Sequence, residues 1–129
     1  MKAVLALCIL TLVTFSCKKS EVSTEDLLIS TWTLTDKTID NIPVTLSDCE
    51  KQSSIEFQVN NFCLLYNACS KETINSGWNY KYEMLNISEY LPAAFYIQQL
   101  DNASLKLMRK DISTLGSLQV TVLSYVKTP

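Results

Sequence analysis

From Thr31 onward apolar and polar residues alternate in short runs, and this period of two, repeated down a chain with only two glycines, constrains the fold more than any other feature. Thr31 to Thr35 sets Trp32 and Leu34 on one side of a strand rich in β-formers. Further strands are predicted at Ser53–Val59, Phe62–Tyr66, Ser76–Tyr82, Met84–Ser88, Leu91–Leu100, Leu105–Arg109 and Leu118–Val126. Eight such strands, joined by tight or modest loops, point to an all-β fold: an eight-stranded antiparallel up-and-down β-barrel, in which closure removes the exposed edges of an open sheet. The interior of a barrel that size holds side chains or one small ligand.

Before the first strand, Ser23 and Thr24 are good N-caps, Glu25 and Asp26 suit a first turn, and Leu27 to Ile29 are apolar, so a short helical turn is expected. Trp32, just after it, is placed to plug one end of the barrel. Asn41 to Ser47, which contains Pro43, reads as irregular or a short edge piece, and Ser70 to Asn75 as a polar loop. Asn60-Asn61 turns the chain, since asparagine tolerates the left-handed region. A three-residue loop with a bulge sets Phe57 and Cys63 on one face; a two-residue loop sets them on opposite faces. Leu85 and Ile87 are expected to be buried. Trp78, Tyr80 and Tyr82 form a stripe at period two, either an aromatic platform for a sugar or lipid or, more commonly, core.

The 129 residues suffice for one cored domain and are too few for two. The formal charge is −2, and removal of a leader holding only Lys2 among charged residues takes the 11 bases to ten against 13 acids, or −3. A mildly acidic protein has no electrostatic reason to seek nucleic acid. Histidine is absent, which removes the commonest general base and metal ligand. Asp48, Glu50 and Glu56 read as solvated surface, and Arg109-Lys110-Asp111 as a charge cluster at a strand end in contact with water. No catalytic residue, metal site or cofactor is expected, and the chain does not read as an enzyme. Asn86-Ile87-Ser88 and Asn102-Ala103-Ser104 match the eukaryotic glycosylation pattern by coincidence, given the bacterial leader.

At the N-terminus Lys2 is a positive n-region, Ala3 to Phe15 an apolar h-region, and Ser16-Cys17 a cleavage point with a small residue. The apolar run is short of the ~20 residues that span a bilayer. Cys17 resembles the lipobox cysteine of bacterial lipoproteins, here in the looser order Thr14, Phe15, Ser16, Cys17. The resemblance implies a thiol carrying diacylglycerol and an acylated new amino terminus, with palmitate among the acyl chains. Two or three chains anchor a protein stably where one does not. The competing reading is an ordinary secretory signal that leaves Cys17 as a thiol. Residues 1–16 are then a signal peptide, 17–24 a lipidated tether and 25–129 the β domain.

Leu28 to Leu34, with the short helix running into Trp32, resembles the opening of the lipocalin-like domains of Bacteroidetes lipoproteins. Asp48 to Phe57, the asparagine turn after it, Ser76-Gly77-Trp78 and Leu105-Lys106-Leu107 continue the likeness over residues 25 to 127. Ser30 and Asn61 stand where that pattern has glycine. The resemblance implies a calyx that binds a small apolar molecule, on a protein held in the bacterial cell envelope, at the outer membrane, on its periplasmic face or at the cell surface.

Setting aside Cys8 in the leader and Cys17, three of the five cysteines remain: Cys49, Cys63 and Cys69. Export favours one disulfide. Cys49 precedes one strand of a hairpin and Cys69 follows the other, which brings both to the same end of the sheet; the pairing Cys49–Cys69 also agrees with the resembling family. Cys63 is either a reactive or dimer-forming thiol or, as free cysteines more often are, a small core residue. Without a C-x-x-C knuckle the three cysteines do not make a metal site. The expected function is that of a monomeric, membrane-anchored binder of a small hydrophobic ligand; the alternative is a structural or protein-interaction module of the envelope.

Overall fold

In the computed structural model residues 21–88 and 94–129 are described. Ser23 caps the short helix α1 (Thr24–Leu28), its hydroxyl accepting from the Asp26 amide, and acidic Glu25 and Asp26 occupy the first turn, where the helix dipole favours them. Nine strands follow: β1 (Thr31–Ile39), β2 (Ile42–Val44), β3 (Ser54–Phe57), β4 (Phe62–Asn67), β5 (Glu72–Lys81), β6 (Met84–Ile87), β7 (Ala94–Leu100), β8 (Ser104–Ile112) and β9 (Leu118–Lys127), with a 3-10 turn at Glu50–Gln52 before β3. All pairings are antiparallel. The order is β2-β1-β3-β4-β5-β6-β7-β8-β9, and β1 also pairs with β9, so eight strands close into a ring and β2 lies on β1 as a short edge piece.

The closure is long: β9 pairs with β1 from Trp32 opposite Lys127 to Ile39 opposite Thr121. It is interrupted once, at Thr35, where one extra residue in β1 reverses the alternation. Beyond that bulge Lys37 and Ile39, not Asp36, share rows with Leu123 and Thr121. On its other edge β1 pairs with β3 only over Thr31–Thr33 and with β2 only over Lys37–Ile39. β1 and β3 therefore part company above Leu34.

The interior is filled at the α1 end. Leu28, Trp32, Phe57, Cys63, Leu85, Ile87, Leu105 and Leu107 have almost no exposure, and Trp78, Phe95 and Tyr125 pack with them. The Trp32 indole N–H donates to the Leu28 carbonyl at 2.8 Å, so the residue expected to plug one end is held there by the helix that precedes it. The ends are assigned by the turns: the Phe57 amide bonds the Ser30 carbonyl, the Lys127 amide that of Ala103, and the Thr128 amide that of Thr31. The β3–β4, β5–β6 and β7–β8 turns thus lie at the α1 end, and the β4–β5 and β8–β9 turns at the other.

Several expectations need correction. β5 begins at Glu72, so most of the predicted polar loop at Ser70–Asn75 is strand, paired across to Leu64–Asn67. β3 ends at Phe57, and Val59 sits in the turn. Phe57 opposes Cys63 directly, which resolves the loop as three residues, with Asn61 at φ 63° in the left-handed region. The early part of the predicted strand at Leu91 lies outside the described residues.

Candidate ligand pocket

A cavity of about 210 Å³ occupies the ring where β1 and β3 separate, toward the end away from α1. Its apolar wall is Leu34, Ile55, Leu65, Ile74, Leu123 and Tyr125; Ser53, Ser54, Tyr66 and Asn67 add polar atoms. Each apolar member follows from strand parity. Ile55 opposes Leu65, Leu65 opposes Ile74, and Leu34 opposes Tyr125, so these rows face one way. Ile74 is half exposed and marks the rim.

The rim is stitched. Cys49 and Cys69 form a disulfide with Cα atoms 5.0 Å apart, joining the segment before β3 to the β4–β5 turn. Ser47 and Glu50 hold the first of these in place reciprocally: the Ser47 amide and hydroxyl donate to Glu50 Oε2 at 2.8 and 2.7 Å, and the Glu50 amide donates to Ser47 Oγ at 3.3 Å. The Ser47 backbone amide, then its hydroxyl, lower the Glu50 pKa below the usual carboxylate value. This S-x-x-E capping box, Ser47-Asp48-Cys49-Glu50, was legible in the sequence and positions the cysteine within it. Asn67 Oδ1 accepts from the Cys69 and Ser70 amides at 3.0 and 3.3 Å, fixing the other half of the rim.

The aromatic stripe splits. Trp78 is buried, edge-on to Phe57 at 5.3 Å, and its N–H donates to the Gln58 carbonyl; Tyr80 packs on the core from a partly buried position. Tyr82 leaves the strand altogether and stands exposed in the β5–β6 turn. Cys63 is fully buried, and burial pushes its thiol up to about 11, against a smaller lowering by a Ser76 hydrogen bond. It behaves as a core residue.

Arg109 and Asp111 are not the water-facing cluster expected. They alternate along β8 with Lys110 and so share the face of Leu105 and Leu107. Arg109 Nε meets Asp111 Oδ2 at 2.6 Å, with the side chains only 28% and 18% exposed, and the guanidinium lies 5.9 Å over the Phe95 ring. Asp111 Oδ1 is buried without a hydrogen-bond partner. Arg109 was already in phase with Leu105 and Leu107 within the predicted strand, and the three further residues of β8 up to Ile112 bring Asp111 onto the same inner side.

Compared with known proteins, the chain matches no family model and no curated protein. Among the described residues no three of His, Cys, Asp or Glu come together as a metal site. Cys17, the expected lipid site, lies outside the described residues.

Proposed function

We propose that this chain is a lipoprotein of the bacterial cell envelope, anchored through acylated Cys17, whose ring is a lipocalin-like barrel that takes a small apolar ligand and performs no covalent chemistry. The observation that carries the reading is the apolar cavity at the end away from α1, in a ring whose α1 end is filled with side chains. At about 210 Å³ it is smaller than the ~300–1,000 Å³ typical of drug-sized ligand pockets. It corresponds to about seven waters at the ~30 Å³ each occupies in the liquid. The ligand class is accordingly a short alkyl or single-ring molecule, its apolar body against Leu65 and Leu123 and any polar end at Ser53 and Asn67.

Native mass spectrometry of the protein taken from its own membrane tests both halves. The expected result is a mature mass that carries acyl groups on Cys17 together with a retained small molecule. Titration with short straight-chain alcohols should show binding that Leu123→Phe removes by filling the cavity, with the fold intact. Equal uptake by Leu123→Phe and the unaltered protein overturns the pocket.

A second reading, a protein-interaction module, is favoured by the β8–β9 hairpin. There Ile112 opposes Leu118, and both are exposed together with Leu115 at the tip. A discrete protein adduct from a photo-crosslinker at Leu115, with no small molecule retained, would select it.

A further inference from the structure

We infer that the α1 end of the ring is a membrane-docking face that seats Val59, Phe62 and Tyr82 in the surface of a lipid bilayer and so turns the cavity away from it. The inference rests on the acylated Cys17 proposed above. Its own ground is where the exposed apolar side chains stand. Val59 is 80% exposed in the β3–β4 turn, Phe62 55% just after it, and Tyr82 84% at the β5–β6 turn. Both turns lie at the end where the chain enters through α1, and Val22, ahead of that helix, is also exposed.

Reach decides between this end and the other. Cys17 is seven residues before Thr24, so the chain between them spans at most about 25 Å. β1 alone carries the sheet about 30 Å along its own axis away from α1. The Leu115 hairpin at the far end therefore cannot lie on the bilayer unless the tether runs fully stretched along the ring. The α1 end reaches it without extension.

The β5–β6 turn supplies an independent argument. Lys81 opposes Met84, which leaves Tyr82 and Glu83 as a two-residue turn with φ 54° and 63°. Such a turn favours Asn-Gly, and a bulky side chain there is strained. A strained, solvent-exposed tyrosine is costly to the fold. An aromatic ring with a polar tip suits the headgroup boundary, where tyrosine and tryptophan concentrate. The Lys81 ammonium lies 5.1 Å from the Tyr82 ring. Glu21, Glu25, Asp26, Glu83 and Asp101 stand at this end against Lys81 and Lys127, so the face is acidic on balance and its docking is apolar, with no attraction to anionic lipid.

The test uses the acylated full-length mature protein in phosphatidylcholine vesicles, with a fluorophore on a single new cysteine at Asn60→Cys, Glu83→Cys or Leu115→Cys. Cys49 and Cys69 are bonded and Cys63 is buried, so labelling is selective. Lipid-borne spin labels should quench the probes at 60 and 83 several-fold more than the probe at 115, with no gain from added phosphatidylglycerol. Replacing Val59, Phe62 and Tyr82 by serine should bring quenching at 60 and 83 down to the level at 115, with acylation retained. Equal quenching at all three sites, or strongest quenching at 115, on a protein whose mass shows the acyl groups overturns the docking face and leaves the anchor standing. A mature mass without acyl groups overturns the anchor, and the docking face with it.

Discussion

Cys63 shows how one side chain can report on the whole interior. Its thiol is held well above the ordinary value of 9.0, at about 11, because the buried site disfavours the thiolate. Between those two values the folded protein retains a proton that the unfolded chain has lost. Stability from this group is therefore complete below pH 9.0 and declines as pH rises toward about 11. Two pKa units correspond to roughly 2–3 kcal/mol. Denaturant titrations from pH 8 to 11 should show that share of the decline in the natural protein and its absence in Cys63→Val. The same burial leaves the thiol inert to maleimide in the folded state, and rapid modification at neutral pH would contradict it.

The Arg109–Asp111 pair makes a second prediction at this scale. Asp111→Ala leaves a guanidinium in a mostly desolvated position and should cost about 1–2 kcal/mol, less than a fully buried pair because both groups keep some solvent contact. Replacing both, Arg109→Met with Asp111→Leu, should recover most of that loss, since it also removes the unsatisfied Asp111 Oδ1. A double variant as unstable as the single one would show that the pair itself is needed.

At the scale of elements, the turns carry the testable content. Tyr82→Asn with Glu83→Gly relieves two left-handed residues and should stabilise the fold by about 1 kcal/mol while weakening membrane seating. A gain in melting temperature together with lost vesicle quenching is the expected signature, and a loss of stability would remove the strain argument. The rim disulfide closes a loop of sequence separation 20, for which the chain-entropy account gives about 3 kcal/mol. Cys49→Ala with Cys69→Ala should lose that much in equilibrium unfolding and loosen the rim at Ser53 and Asn67, seen as faster amide exchange there.

At the scale of the molecule, closure is the decisive event. β9 pairs with β8 and with β1, so it joins the last strand to the first. Ending the chain at Ser117 leaves β1 and β8 as open edges and exposes Leu105, Leu107 and Trp32, and cooperative unfolding should disappear. Contacts so distant in sequence also make folding slow, in the range of milliseconds to seconds for a two-state all-β domain.

Much of this was readable beforehand, and the division follows from what is local. Strand identity came from period two, as in Trp32 and Leu34 or Leu85 and Ile87. The α1 cap came from Ser23, and the disulfide from the hairpin between Cys49 and Cys69. What parity alone misjudged were positions where a neighbouring strand decides: β5 was recruited back to Glu72 by pairing with β4, and the Thr35 bulge turned Lys37 inward. β8 ran on to Ile112 because β9 was there to pair with it, which put Asp111 inside next to Arg109. Tyr82 continued the alternation of Trp78 and Tyr80 in sequence, yet the turn placed it in solvent. The sequence by itself determined an all-β, up-and-down chain with a capped entry helix, because strand period and cap are encoded by spacing within a few residues, and it placed one disulfide through the hairpin that brings Cys49 and Cys69, 20 residues apart, to one end. The expected closure is seen between β1 and β9, and only the tertiary structure decided that it carries a bulge at Thr35 and that a cavity of about 210 Å³ survives where β1 and β3 diverge. Those depend on pairing between residues far apart in the chain, which no local period records.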